Sequence, residues 1–166
     1  MSKVLFIKRA DLIKSTILGG NLDSDKFLPF IEIAQSIHIQ NYLGTKLYDK
    51  LVSDIAGATL SGNYATLVDD YVQPMLIYWA ATEYLPHAAY TIANGGAYKH
   101  QSENSVVMDK EEIDYLTEKY RKIAQYYTQR FIDYICFNNN LFPEYNQNTN
   151  DDVYPDKNAY RPSWNI

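Results

Sequence analysis

The sequence predicts an all-α protein, an elongated helical bundle of about five helices with two long central ones. Apolar residues recur at spacings of three and four through most of the first 138 residues, and glycines or prolines interrupt these stretches at helix-like intervals. Hydrophobic residues make up 46% of the chain, enough for one core. We therefore expect residues 1–138 to form a helical body and residues 139–166 to follow it as an extended C-terminal arm.

Two helices are predicted in the first 44 residues. The first covers residues 8–16, and the glycines at 19–20 accept the left-handed geometry that ends helices. The second begins with Asp25 as its N-cap and carries Pro29 in its first turn, where a missing amide donor is tolerated. Gly44 is predicted to end it.

A third helix is predicted to begin with Thr45 as its cap. Leu47, Leu51 and Ile55 then form one apolar stripe, and Gly57 stops the helix. Tyr48 and Val52 lie beside this stripe.

A long, mostly apolar helical pattern follows from residue 64 to residue 93. Pro74 and Pro86 interrupt it, and each should break or kink the helix because proline lacks the amide donor. Apolar side chains occupy nearly every face between the two prolines, which predicts a central position. Residues 94–108 are polar and glycine-rich, and the short runs at their ends could pair as a β-hairpin.

The last predicted helix spans residues 110–137. Asp109 and Glu112 have the spacing of a capping box at its start. A stripe at spacings of three and four then predicts an antiparallel pairing with the preceding long helix, through Ile113, Leu116, Tyr120, Ile123, Tyr127, Phe131 and Tyr134.

Other residues are candidates for contact with a neighbouring subunit. Tyr115, Tyr126 and Arg130 lie on the last helix outside its apolar stripe. Tyr98 and His100, from the loop before that helix, complete this set.

The C-terminal arm combines helix-breaking residues with large aromatics. Prolines at 143, 155 and 162 remove backbone donors, so no helix is expected there. Ordering its backbone costs about 1–2 kcal/mol per residue, more than a few aromatic anchors return. We therefore expect an arm that is mobile in the isolated subunit and binds a partner through Phe142, Tyr145, Tyr154, Tyr160 and Trp164.

Composition limits the classes of function. The net charge is −5, with −3 in the body and −2 in the arm, which argues against sequence-independent nucleic-acid binding. The single cysteine, Cys136, excludes an internal disulfide and is expected to be a core thiol. The longest clean apolar run, at 75–81, is too short for a membrane span, so we expect a soluble protein made in the cytoplasm.

The sequence contains no recognisable catalytic constellation. His38, His87 and His100 lie in different elements without metal-ligand spacing, and neither glycine pair continues into a nucleotide-binding motif. The best enzymatic candidates are His100 with Glu103, and His87 as a buried acid or base. We expect no enzymatic activity and no cofactor.

Four strings of the chain resemble a known family in their order and spacing. They are IHIQNYLGTKLYDKL (37–51), YVQPMLIYWAATEYLPHAAYTIANGGA (71–97), HQSENSV (100–106) and YRKIAQYYTQRFIDYI (120–135). The chain, over about residues 5–145, resembles the head–tail connector (adaptor) proteins of tailed bacteriophages, particularly the neck ring protein of crAss-like phages.

This resemblance implies a structural virion protein in the phage neck, assembled in the bacterial host cytoplasm. Its subunits would form a ring, usually twelve-fold, between the portal protein and the tail or other neck proteins. DNA would pass through the central channel without specific binding. The resemblance also implies no enzymatic activity and no required cofactor.

Two other classes of function remain open. The chain could be a monomeric helical binding module whose aromatic arm is a peptide ligand for another protein. It could also be a small helical enzyme that uses the 94–108 loop.

Overall fold

The structure is a computed structural model. It describes the backbone of two strands at 90–93 and 96–99, and all atoms of residues 4–18, 24–88, 109–147 and 152–159. Within these residues the chain is an all-α bundle, as the sequence predicts, with a short β-hairpin between its two longest helical stretches.

One buried glutamine holds the N-terminal segment against the bundle. The Gln35 side chain accepts a hydrogen bond from the Phe6 amide at 2.9 Å. Its amide group donates to the Val4 carbonyl at 2.8 Å and to the Tyr48 hydroxyl at 2.9 Å. The segment that Gln35 fixes continues into α1 (Arg9–Ser15), which lies close to the predicted bounds. The glycines expected to end this helix lie outside the described residues.

The second helical stretch is continuous but changes type along its length. Pro29 lies in the first turn of α2, as predicted, whereas Asp25 lies inside the preceding 3-10 turn and is not the N-cap. Gly44 ends the stretch with φ 74°, a conformation that favours glycine. The segments are a 3-10 turn (Ser24–Phe27), α2 (Leu28–Ala34), a π-turn (Gln35–Ile39) and α3 (Gln40–Leu43).

Helix α4 spans Thr45–Ala56 and buries Leu47 and Leu51, as its stripe predicts. It ends at Gly57, as expected, but Gly57 keeps an ordinary φ of −83°. The left-handed residue is Ala58, with φ 54°. The predicted end is confirmed, and the positive-φ position falls one residue later.

The third helical stretch contains the central helix of the bundle. Pro74 lies in the first turn of α6, after a π-turn, and Pro86 lies in a 3-10 turn, so the helix type changes near both prolines while the stretch stays continuous instead of breaking. Helix α6 buries side chains on nearly all its faces, which confirms its central position. The segments are α5 (Gly62–Leu67), a π-turn (Val68–Val72), α6 (Gln73–Tyr84) and a 3-10 turn (Leu85–His87).

The β-hairpin lies earlier in the chain than predicted. Strand β1 (Tyr90–Ala93) pairs antiparallel with β2 (Gly96–Lys99), so residues assigned to the end of a helix form one strand. The dipeptide Asn94-Gly95 stands between the strands and is a strong two-residue hairpin signal. The predicted partner run after residue 99 lies outside the described residues.

Helix α7 spans Lys110–Phe137, and its predicted bounds are confirmed. The Glu112 amide donates to the Asp109 carboxylate at 2.8 Å, and the Asp109 amide donates to the Glu112 carboxylate at 3.1 Å. These two bonds form the predicted capping box.

Two pairs of tyrosines set the direction of α7 against the central stretch. Tyr71 stacks on Tyr134 with ring centroids 4.0 Å apart, and Tyr78 stacks on Tyr127 at 5.3 Å. The later residue of the central stretch meets the earlier residue of α7. The pairing is therefore antiparallel, as predicted.

The buried face of α7 is richer in small residues than the predicted stripe. Tyr120 and Phe131 are buried as expected, but the other stripe residues are half-buried at the edges of the contact. Small side chains let α6 approach, and the Trp79 indole N–H donates to the Thr128 hydroxyl at 3.0 Å. The buried residues are Thr117, Tyr120, Ala124, Thr128, Phe131, Ile132 and Ile135.

The chain does not become extended at the end of α7. A 3-10 turn (Asn139–Leu141) and helix α8 (Pro143–Asn146) follow, with Pro143 at the first helical position. The expectation that no helix forms after residue 138 is wrong, because a first-turn proline is compatible with a helix. The helical body includes residues 139–147, so a truncation that separates the arm belongs after Gln147.

Candidate interaction surfaces

Phe142 and Tyr145, predicted to bind a partner, lie in the core of their own subunit. Their side chains are 0% and 2% exposed. Phe142 meets the Tyr64 ring edge-to-face at 5.4 Å, and Tyr145 meets Phe131 at 6.5 Å. Both aromatics anchor α8 to the bundle, so in this structure they are not available to another molecule.

Polar contacts also bind α8 to the body. The Tyr64 hydroxyl donates to the Glu144 carboxylate at 2.7 Å, and the Lys50 ammonium lies 4.5 Å from the centre of the Tyr64 ring. Burial, together with the adjacent Glu144 carboxylate, raises the pKa of Tyr64, so it stays a neutral donor. Lys46 Nζ donates to the Gln147 carbonyl at 3.4 Å, at the end of α8.

The Tyr145 hydroxyl is buried without a hydrogen-bond partner among the described residues. Burial, followed by the neighbouring Cys136 thiol, raises the pKa of Tyr145. The aromatic ring of Tyr145 is well packed, whereas its hydroxyl group is poorly satisfied. Tyr145 therefore contributes to the structure mainly through its aromatic area, because a thiol such as Cys136 is only a weak hydrogen-bonding group for its hydroxyl.

Residues 152–159 form an extended segment across the junction of α3 and α4. The Asp156 amide donates to the Asn41 carbonyl at 3.0 Å, and the Asn41 side-chain amide reaches the Asp156 carboxylate at 3.5 Å. Pro155 and Ala159 are buried. This part of the predicted arm is extended, as expected, but lies on its own subunit.

Thr45 forms two of the bonds that hold this segment. Its amide donates to the Val153 carbonyl at 3.0 Å, and its hydroxyl accepts from the Val153 amide at 3.0 Å. Gly44 occupies the N-cap position of α4, so the prediction of Thr45 as the cap is wrong. As the first helical residue, Thr45 has an amide with no carbonyl partner inside the helix, and Val153 supplies one.

Of the remaining predicted aromatics of the arm, only Tyr154 can be placed. Its side chain is 62% exposed although the backbone around it is docked. Tyr160 and Trp164 lie outside the described residues. Tyr154 is therefore the arm aromatic that the structure leaves available for a partner.

The outer side of α7 carries a row of exposed aromatics. Tyr115, Tyr126 and Phe137 are 72%, 61% and 88% exposed, and successive members are 11 residues apart. That spacing advances about 16.5 Å along a helix and about 20° around it, so the three side chains share one side over roughly 33 Å. This side lies opposite the residues that α7 buries. We call these three residues the α7 aromatic face.

The sequence prediction identified two members of this face. Tyr115 and Tyr126 were placed outside the apolar stripe, and both are exposed. Arg130 is also exposed, and its guanidinium lies 5.1 Å from the centre of the Tyr71 ring. Phe137 was missed, although the 11-residue spacing that identifies it is visible in the sequence.

The loop candidates for subunit contact stay predictions. Tyr98 lies in β2, paired with Thr91 through the backbone, and its side chain is not described. His100 lies outside the described residues, as does Glu103.

The two described histidines lie in different surroundings. His38 stacks on Trp79 at 3.8 Å, and its Nε2 lies 2.8 Å from a Glu83 carboxylate oxygen. His87 is exposed and meets the Phe30 ring at 5.2 Å, so its assignment as a buried acid or base is wrong.

Potential reactive groups are sparse in the described part of the chain. No cluster of three or more metal-binding side chains occurs there. Cys136 is exposed, so its assignment as a core thiol is wrong. A cavity of about 310 Å³ between α1 and α7 has Lys14 and Lys119 among its lining residues, with Tyr78, Leu116 and Tyr120.

The helices described were also compared with the length and polarity that a bilayer requires. None of them is long and apolar enough to cross a membrane.

Comparison with known proteins gives one match. A family described as a family of unknown function (DUF6712) matches residues 39–154. This range includes α4 through α8 and the start of the segment that docks beside Thr45. No curated protein and no solved structure matches the chain.

Proposed function

This chain belongs to the DUF6712 family of unknown function, and from that starting point we propose that it is a structural head–tail connector subunit of a tailed bacteriophage. The subunits assemble as a ring, on the order of twelve copies, between the portal protein and the tail or other neck proteins. DNA passes through the central channel. The protein acts in the virion neck, has no enzymatic activity and requires no cofactor.

The order and spacing of the four family-like strings carry this proposal. The strings at 37–51, 71–97 and 120–135 fall on the α3–α4 junction, on α6 with the hairpin, and on α7. These strings therefore cover elements that build the core and elements that contact residues 152–159 of the C-terminal segment.

The α7 aromatic face supports a ring because it gives the subunit an unpaired contact surface. Three large aromatics exposed along one side of a helix leave apolar area in water that a partner can cover, and aromatic residues are enriched at protein interfaces. Around them, Lys119, Lys122 and Asp133 keep the surface polar enough for a free subunit to remain dispersed.

A closed ring needs a second, different surface on each subunit, because its contacts are head-to-tail. Ile33 and Ile37 are exposed on the second helical stretch, four residues apart and therefore on one side. Helices α2 and α7 both pack against α6. On each of these two helices, the exposed apolar residues lie away from the side that is buried. We place the α7 aromatic face of one subunit against the Ile33 and Ile37 face of the next.

The charge of the chain suits a channel that does not retain DNA. The net charge is −5, and cations on the channel wall would favour binding over sliding. Arg9, one of the few clustered cations near the start of the chain, is paired with Asp25.

Co-assembly with the portal protein tests the proposal. The chain is mixed with the portal ring of the same virus and imaged by electron microscopy. A closed ring of this protein on the portal supports the proposal. Failure to bind, or enzymatic turnover dependent on His100, contradicts it.

The alternative of a monomeric binding module has one observation in its favour, the exposed Tyr154. Burial of Phe142 and Tyr145 leaves such a ligand with fewer of its predicted anchors. A single copy bound to another protein through this arm, without a ring, would support that alternative.

A further inference from the structure

We propose that the junction of α3 and α4 is a docking site for residues 152–159 of a neighbouring copy, so that subunits exchange this segment when they assemble. We call the site the α3–α4 groove and define it by Asn41, Thr45 and Tyr145. This inference rests on the proposed ring, and it names a second contact between neighbouring subunits, in addition to the α7 aromatic face.

Recognition in the groove is mainly through the backbone of the segment. Thr45 binds both the amide and the carbonyl of Val153, and the Asn41 carbonyl accepts from the Asp156 amide. A docked strand gains affinity from main-chain bonds of this kind, and alternate side chains fill pockets. An identical segment from another copy offers the same bonds.

The side chains of the segment also fit this groove. Pro155 and Ala159 are buried, and the Lys157 ammonium lies 5.7 Å from the centre of the Tyr145 ring. Asp152 precedes the residue bound at the first turn of α4, where unpaired amides and the helix dipole favour a negative charge. The groove therefore buries two side chains of the segment and places a third, Lys157, beside an aromatic ring.

Residues 152–159 are held weakly enough to exchange between subunits. The two side chains that the segment buries, Pro155 and Ala159, are small, and its one described aromatic, Tyr154, stays exposed. The groove holds no deep aromatic anchor from the segment, unlike α8, which buries Phe142 and Tyr145. When residues 152–159 leave the groove, the core therefore loses only small side chains, including Ala159, while Phe142 and Tyr145 still anchor α8.

The connection to the body sets the reach of an exchange. Gln147 contacts Lys46, and Val153 contacts Thr45, so the chain leaves and re-enters beside adjacent residues of α4. The six peptide links from Gln147 to Val153 can span roughly 20 Å when extended. A neighbouring groove within that distance can be occupied with no loss of contacts, which is the condition for exchange of an identical element.

A ring makes exchange effective. The grooves repeat at a fixed spacing, and each exchanged segment adds a link between two subunits. Because every subunit both gives and receives a segment, each attachment raises the effective concentration of the next.

Disulfide trapping between two differently tagged chains tests the proposal. Both chains carry Cys136→Ser; one also carries Asn41→Cys and the other Asp156→Cys. A disulfide between these chains requires a segment of one chain in the groove of the other. A single chain with both new cysteines measures docking within the subunit, and Ser36→Cys in place of Asn41→Cys is the matched exposed control.

We expect the mixed disulfide in rings assembled on the portal, at least tenfold above the Ser36→Cys control. Its absence there, while the double-cysteine chain closes its internal disulfide, overturns the exchange. Failure of both disulfides overturns the groove itself.

The same mixture without portal, at high protein concentration, separates this inference from the proposed function. If no ring forms on the portal, the connector proposal fails. In that case a mixed disulfide in the concentrated free protein still supports exchange, and its absence from the free protein as well contradicts exchange.

Discussion

Thr45 and Val153 lie 108 positions apart and exchange two hydrogen bonds, each 3.0 Å long. The pair joins the first residue of α4 to the C-terminal segment. It explains why a threonine stands immediately after Gly44 without capping the helix. The start of that segment, residues 152–154, lies within the region that matches the family.

Replacing Thr45 with valine should loosen the C-terminal segment and leave the bundle intact. Valine keeps the shape but removes the acceptor for the Val153 amide, a loss of about 1 kcal/mol. Hydrogen exchange at Val153 should accelerate roughly fivefold, while exchange in α6 stays unchanged. The exposed Thr66→Val variant is the control, and equal exchange rates at Val153 in both variants would count against the pairing.

Replacing Tyr126 with serine should weaken assembly and leave the subunit stable. The side chain is mostly exposed, so its removal should change the unfolding free energy by less than about 0.5 kcal/mol. Its loss from an interface should reduce ring formation on the portal several-fold. Electron microscopy counts the rings, with the exposed Asp69→Ser variant as control. Normal ring yield would exclude Tyr126 from the subunit contact.

Replacing Thr128 with valine should destabilise the pairing of α6 with α7. The Trp79 indole N–H would lose its acceptor in a buried position, at a cost of about 1–3 kcal/mol. Urea unfolding measures the change. Thr128→Ser keeps the hydroxyl and should lose less stability than the valine variant; the reverse order would show that methyl packing matters more than this bond.

Replacing Tyr145 with phenylalanine should be neutral or stabilising. The substitution keeps the ring against Phe131 and removes a buried hydroxyl that lies beside the Cys136 thiol without a well-formed hydrogen bond. We expect a change between about 0 and +1 kcal/mol in the unfolding free energy. Tyr64→Phe is the matched control and should destabilise, because that hydroxyl binds Glu144. A clear loss of stability in Tyr145→Phe would reveal a partner for its hydroxyl.

Stability should decline at acidic pH in part through Glu83. The hydrogen bond from His38 is the main cause that lowers the pKa of Glu83, against an opposing effect of burial. A lowered folded pKa stabilises above the unfolded value, about 4.3, and this contribution is lost as the pH falls through the folded pKa. Urea midpoints measured from pH 6 to pH 3 should therefore fall less steeply for Glu83→Gln than for wild type.

The exposed Glu111→Gln variant is the control for that series. Its pH profile should follow the wild type. If Glu83→Gln also follows the wild-type profile, the pairing of His38 with Glu83 does not contribute to acid sensitivity.

Local signals in the sequence were sufficient for most helices. The capping box at Asp109 and the prolines at 74 and 86 act within one or two turns, so the bounds of α7 and the places where the central stretch becomes irregular could be predicted. The central position of α6 followed from apolar residues on all its faces.

Long-range contacts account for what the sequence did not predict. The burial of Phe142 and Tyr145 depends on Tyr64 and Phe131, whose rings they contact. Threonine is a common N-cap residue, and only the contact with Val153 shows that Thr45 binds the C-terminal segment instead. The predicted stripe of α7 favoured large apolar residues, whereas close packing with α6 selected small ones such as Ala124 and Thr128.

Electron cryo-microscopy of the full chain bound to the portal ring tests the central claim most directly. The account predicts one closed ring of this protein, with Tyr115, Tyr126 and Phe137 of each subunit at the boundary with the next. Isolated copies on the portal, or a ring in which these three side chains all face solvent, would contradict it.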